Sequence, residues 1–266
     1  MVTGGGLILP FVAVTLLWFV STGLVAMIHH RMRASFARAL MIASGCGVIG
    51  LALIYWTHDS RTSLGAYASF LGGLLIWSWH EISFLTGAVA GSHRDPCPAD
   101  ARGWDRFALA AAALLHHEIA LAMTAGLLLS LAAVTANPTG AWCFALLLIF
   151  RLSAKLNIFW GVPSLSDELM PLHLAYLKSY FGPKRLRPML PVSIAMIVAL
   201  GVWFGWSALA APTPHLAVQA SLLCCLCLLG ALEHLFLAIR FRDSVLWGWA
   251  LEPAVSPSTT ISRERD

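Results

Sequence analysis

The sequence predicts an all-α membrane protein, a bundle of seven transmembrane helices, on three observations. Hydrophobic residues make up 59% of the 266 positions and charged residues 11%, and the mean hydropathy is +0.77, outside the range of soluble domains. Seven apolar segments can be drawn, at about 7–29, 38–57, 64–90, 107–135, 140–160, 190–210 and 215–239, each near the ~20 residues that cross a bilayer core. The basic residues between them alternate in side. One side receives Arg31, Arg33 and Arg38, then Arg94, Arg102 and Arg106, then Lys178, Lys184, Arg185 and Arg187, then Arg240, Arg242, Arg263 and Arg265, whereas the other receives only Arg61. The positive-inside rule then expects a periplasmic N-terminus and a cytoplasmic C-terminus.

Taken in order, the elements support this plan. Met1 to Gly6 lacks the positive n-region of a cleavable signal, so the first segment is expected to remain as a helix. Ala68 and Gly72, four apart, predict close helix contact in the third span. The connection 91–106 contains Pro96, Pro98 and Gly103, which rule out a continuous helix. Asn137 to Gly140 joins the fourth and fifth spans and Ala211 to Pro214 the sixth and seventh, short turns that make antiparallel hairpins. In the connection 161–189, Ser164 followed by Asp167 and Glu168 reads as a helix start. Leu169 to Phe181 then mixes leucines with Tyr176, Lys178 and Tyr180, as suits a short helix in the headgroup layer. Residues 1–252 form one transmembrane domain on this reading, and 253–266, rich in Ser, Thr and charge, form a disordered cytoplasmic tail.

Composition also excludes. The net charge of +4 and pI near 8.9 do not point to nucleic acid, because membrane topology accounts for the basic residues. Six cysteines make no disulfide framework. Cys224 and Cys227 form a C-x-x-C on one helix face, a spacing that a soft metal can use but that helix packing explains more simply.

The informative feature is a set of ionisable groups inside the spans. The third carries His80 and Glu81, the fourth His116, His117 and Glu118, the fifth Arg151, Lys155 and Asn157, and the seventh Glu233 and His234. Such groups cost at least ~2.5–3.5 kcal/mol each near a bilayer centre, so they require partners and usually mark function. Counted from the cytoplasmic helix ends, Glu81 lies ~13 Å deep, Glu118 ~16 Å, Arg151 ~14 Å, Lys155 ~8 Å and Glu233 ~9 Å. They therefore form a layer in which Glu81, Glu118, His117 and Arg151 are expected to converge, with Asn157 turned elsewhere. Adjacent residues project about 100° apart, so each His-Glu pair splits its two side chains between directions. Arg151 and Lys155 share a face.

Three readings compete. His80, Glu81, His117, Glu118 and Glu233 are candidate ligands for iron or zinc, in the manner of di-iron helix bundles, although the E-x-x-H spacing of those bundles is absent. Alternatively the layer is a salt-bridge network, since the three glutamates nearly balance Arg151 and Lys155. Thirdly, a neutral histidine, His116 or His117, is a candidate axial ligand for a tetrapyrrole pigment. His29, His30 and His173 read as interfacial residues, and Trp77 and Trp79 as packing.

Several runs resemble a known family. Leu71 to Gly87 (LGGLLIWSWHEISFLTG), Leu114 to Leu121 (LLHHEIAL), Arg151 to Phe181 (RLSAKLNIFWGVPSLSDELMPLHLAYLKSYF), and Pro96-Cys97-Pro98 with Ala101 to Trp104 are similar to the PuhE-type photosynthetic complex assembly proteins of purple phototrophic bacteria. The resemblance runs from the first helix to about residue 205. It implies a protein of the bacterial inner (intracytoplasmic) membrane, encoded near the reaction-centre H subunit. Its expected role is assembly of the reaction-centre/light-harvesting complex or adjustment of bacteriochlorophyll supply, with reaction-centre or light-harvesting subunits or bacteriochlorophyll biosynthesis components as partners. No catalytic residue comes with it. The other reading from the residues is a metal-dependent membrane oxidoreductase acting on a tetrapyrrole or other lipophilic substrate.

Overall fold

Helices are the only regular structure among the described residues of the computed structural model, which describes residues 4–31, 36–165, 170–242 and 244–250, without the side chains of 4–7 and 28–31. The helix start expected at 164–168 falls largely outside these residues, as do the His29 and His30 side chains and the tail 253–266.

Among the described residues nine α-helices follow in order: α1 (Gly4–Arg31), α2 (Phe36–Thr57), α3 (Ser63–Leu85), α4 (Gly103–Ala112), α5 (Leu115–Ala132), α6 (Thr139–Trp160), α7 (Met189–Leu209), α8 (Pro214–Ala238) and α9 (Ser244–Trp247), with a 3-10 helix at Leu172–Tyr180 between α6 and α7. Among the described residues six stretches are long and apolar enough to cross a membrane: Ile8–Met27, Phe36–Thr57, Leu115–Ala132, Thr139–Trp160, Met189–Leu209 and Pro214–Ala238. The chain is a multi-pass helical membrane protein. Of the seven expected spans, α3 stands apart: its 23 residues have the length, but serines, glycines, His80 and Glu81 lower its apolar character.

Helices α3 and α8 occupy the centre. Helix α8 is buried along most of its length, and α3 packs against α1, α2, α5, α6 and α8. Threonine N-caps start both: Thr62 accepts from the Gly65 N–H and Thr213 from that of Leu216, with Pro214 in the first turn. Close approach around α3 depends on glycine. A Cβ on Gly50 of α2 would strike the Gly72 carbonyl, and one on Gly73 would strike Gly140 of α6, where Ser69 Oγ also accepts from the Gly140 N–H at 2.9 Å.

The short turns behave as their sequences suggest, so α5 packs on α6 and α7 on α8. Asn137 does more than turn the chain. Its amide donates to the Thr57 and Gly65 carbonyls, both at 3.0 Å, which ties the α5–α6 turn to the α2–α3 turn.

Two expectations need correction. The fourth span, drawn as 107–135, is broken at Ala113–Leu114 into α4 and α5. The break is held by the preceding loop, because the Ser92 N–H donates to the Ala112 carbonyl at 3.1 Å and Gly91 lies against Ala112 and Ala113 too closely for any side chain. The second correction concerns the third span, drawn as 64–90, whose helix ends at Leu85. The short helix expected within Leu169–Phe181 is present as a 3-10 helix over Leu172–Tyr180, whose three-residue repeat stacks Pro171, Leu174, Leu177 and Tyr180 on one buried face. That face packs against Phe84, Ala113 and Leu114, and Tyr180 donates to the Asp95 carbonyl at 3.0 Å. Burial raises the Tyr180 phenol above its ordinary pKa, so it remains a neutral donor.

These corrections move the polar layer. With α3 ending at Leu85 and α5 beginning at Leu115, Glu81 and Glu118 both lie only ~5–6 Å from their helix ends rather than ~13 and ~16 Å. The layer sits near one end of the bundle, beneath the 3-10 helix and the broken fourth segment.

Candidate functional site

Helix α6 organises the site because it carries polar residues at every second position for two turns. Arg151 and Lys155, four apart, share one face, while Ser153 and Asn157 share the opposite one.

On the first face two ion pairs close. Arg151 Nη2 reaches Glu81 Oε2 of α3 at 3.0 Å, and Lys155 Nζ reaches Glu118 Oε1 of α5 at 2.5 Å. Two carboxylates thus meet two cations across three helices. Glu118 lies in the first turn of α5, where the partial positive charge of the helix N-terminus favours a carboxylate as well. His117 sits beside this group, fully buried. Its ring lies 4.7 Å from Phe84 and 6.5 Å from His80, and Lys155 and Arg151 are its charged neighbours. Neither ring nitrogen has a hydrogen-bond partner among the described residues, and the same holds for Glu81 Oε1 and Arg151 Nε. His80, also buried, bonds through Nε2 to Thr124 Oγ1 of α5 at 3.0 Å.

A separate polar chain runs along the second face. His234 Nδ1 lies 2.8 Å from the Gly230 carbonyl, which requires a proton on Nδ1, so Nε2 accepts from the Ser153 hydroxyl at 3.0 Å. The Asn157 amide donates to the Ser153 carbonyl at 2.9 Å and to Ser193 Oγ of α7 at 3.0 Å. This chain links α6 to α7 and α8.

The candidate residues therefore divide. Glu81, His117, Glu118, Arg151 and Lys155 come together, with His80 at their edge. His234 and Asn157 lie on the other side of α6. His116 is exposed, and Glu233 is exposed on α8, where its Oε1 accepts from Trp18 Nε1 at 2.6 Å. Five contributors were not apparent in the sequence: Thr124, Ser153, Ser193, Phe84 and Trp18. A hydroxyl in a membrane helix is itself the signal for the first three, because such groups commonly join helices.

The arrangement bears on what the layer can hold. Among the described residues no three of His, Cys, Asp and Glu gather as a metal-binding set. Both interior carboxylates face cations. The His117 ring is enclosed. His116 alone of that pair is open.

Fold and site together define a multi-pass helical membrane protein braced by interior ion pairs. The chain belongs to the DUF3623 family, described as a protein of unknown function, whose model matches residues 6–258. It is 34% identical over 250 residues to an uncharacterized 30.4 kDa protein in the puhA 5′ region of Rhodobacter capsulatus, covering 92% of this chain and 91% of that one. No solved structure matches.

Proposed function

We propose that this chain is a seven-span inner-membrane accessory protein of anoxygenic photosynthesis, assisting assembly of the reaction-centre/light-harvesting complex or modulating bacteriochlorophyll supply. The observation that carries the reading is the relative in the puhA 5′ region, aligned over nearly the whole of both chains. The geometry is consistent with an accessory role, since both interior carboxylates are engaged by cations. On this reading α3 crosses as the third of seven spans, the basic loops are cytoplasmic, and lipid covers the apolar helix faces. The His117 group is an interior site whose imidazole the fold does not use for bracing. The oxidoreductase alternative finds less support, because Glu233 lies apart from its other candidate ligands on the exposed surface of α8 and both interior carboxylates are paired with cations.

Deletion of the gene from its phototrophic host tests the proposal. Membranes of the deletion strain are expected to show altered near-infrared absorption from assembled pigment–protein complexes, restored by the gene in trans. Unaltered complex and pigment levels under phototrophic growth would overturn it.

A further inference from the structure

From Leu169 to Arg242 the chain holds six lysines and arginines, Lys178, Lys184, Arg185, Arg187, Arg240 and Arg242, against one carboxylate, Glu233. The fold gathers four of these cations at one corner. Segment 182–188 leads from the end of α6 to the start of α7, and it is fixed there because the Gly182 N–H donates to the Ile158 carbonyl at 2.8 Å and Gly161 lies against Pro183 too closely for a side chain. Lys184, Arg185 and Arg187 follow at once. Arg240 stands two residues past the end of α8, the helix on which α7 packs. Arg187 is six residues before Ser193 and Arg240 six after His234. The hydrogen-bonded chain through Ser193, Asn157, Ser153 and His234 therefore brings these cations out of the bundle within about a turn of the same height.

Membrane sidedness accounts for basic residues at this end, but it does not ask them to gather. In the loop 91–106 the fold itself uses two of three arginines: Arg94 donates to the Gly87 carbonyl at 3.3 Å, and Arg106 to the Tyr180 and Phe159 carbonyls. The side chains of Lys184, Arg185, Arg187 and Arg240 make no hydrogen bond or ion pair among the described residues, and Glu233 accepts from Trp18 of α1. Like charges held together without a counter-charge repel one another, so an anion on this corner is favoured. The surroundings are apolar. Trp160 at the end of α6, Leu186 between the cations, Ile239 beside Arg240, and Val192 and Met196, four apart on α7, are all exposed.

We infer that this corner binds an anionic phospholipid, with the phosphodiester among Lys184, Arg185, Arg187 and Arg240 and an acyl chain along the face of Val192 and Met196. Two observations select this occupant over a soluble anion. The cations lie just beyond the ends of α7 and α8, at the level of bilayer head groups, where basic clusters between helices hold anionic lipids. Exposed apolar side chains then continue from the cations into the span, a surface that a free phosphate does not use. The exposed Trp160 indole belongs to the same layer.

Native mass spectrometry of the purified full chain in neutral detergent reads the binding directly, during titration with dioleoyl phosphatidylglycerol or dioleoyl phosphatidylcholine. A saturable phosphatidylglycerol adduct is expected, about tenfold or more tighter than that of phosphatidylcholine. Each basic residue near an anionic head group is worth about fivefold in affinity. Combined Lys184→Gln, Arg185→Gln and Arg187→Gln should therefore weaken the adduct on the order of a hundredfold, and Arg240→Gln alone about fivefold. Arg240 is exposed and outside the helices, so its variant keeps the test decisive if the triple variant fails to accumulate. Arg102→Gln, which removes an exposed arginine of the loop 91–106, should leave the affinity within about twofold. Equal affinity for the two lipids, or native affinity in Arg240→Gln, would overturn the site. So would a loss in Arg102→Gln as large as in Arg240→Gln, which would show attraction to overall charge. Displacement of the lipid by millimolar inorganic phosphate would overturn it as well and assign the corner to a soluble anion.

Discussion

Lys155 is the more enclosed of the two interior cations, 18% exposed against 41% for Arg151, and the long Arg151 side chain has more freedom to reach toward the helix end. Glu118 is thus the carboxylate whose removal matters most. Glu118→Gln is expected to cost ~3–5 kcal/mol by leaving a buried cation unpaired, so membrane immunoblots should show little protein. Combining it with Lys155→Met should restore accumulation, and failure to do so would show that Glu118 does something other than neutralise Lys155. His117 behaves differently. It holds no hydrogen bond to a described residue, so His117→Leu is expected to leave abundance within about twofold, because replacing an unpartnered polar group by an apolar one of similar size is close to neutral. A buried imidazole that the fold does not need is a functional candidate, and the same variant should lower the yield of photosynthetic complexes in the host. Normal yield would make His117 a packing residue.

At the scale of elements, the broken fourth segment and the 3-10 helix form a roof over the ion pairs, and Arg106 fastens it. Its guanidinium donates to the Tyr180 carbonyl at 2.6 Å and the Phe159 carbonyl at 3.4 Å, and lies 4.3 Å above the Phe159 ring. A cation at the end of α6 also suits that helix dipole. Arg106→Ala is expected to lose ~1.5–3 kcal/mol of local stability, seen as faster hydrogen exchange across 170–182 with the bundle helices unchanged. Unchanged protection there would show that the roof holds without it. Much of this architecture was legible in the sequence: the hairpin turns, the apolar lengths and the polar residues on four helices follow from hydropathy and turn chemistry. The break at Ala113–Leu114 was not, because no proline or glycine marks it and the interaction that holds it comes from Gly91 and Ser92. The 3-10 geometry of 172–180 was hidden for a related reason. Its apolar residues suit an α-helical face nearly as well, and only packing on Phe84 and Ala113 selects the three-residue repeat. In the site, shared depth brought Glu81, Glu118, Arg151 and Lys155 into one group and Asn157 was expected to turn elsewhere, but depth alone does not give azimuth, and Glu233 and His234 therefore fell outside the group.

For the whole molecule, the account depends on α3 crossing the membrane although it is not among the stretches apolar enough to cross by length and composition alone. A polar helix can do so when protein surrounds it and its charges are matched, and here five helices pack on α3 while Glu81 meets Arg151. The crossing also determines which side every later loop occupies. Cysteine labelling reads it directly, with the native Cys97 after α3 and a Ser60→Cys variant before it, each in a background lacking the other cysteines. A membrane-impermeant maleimide added to intact cells stripped of their outer membrane is expected to label Ser60→Cys and spare Cys97, with the reverse in inside-out vesicles. Labelling of both positions from the same side would contradict the seven-span account and remove α3 from the membrane.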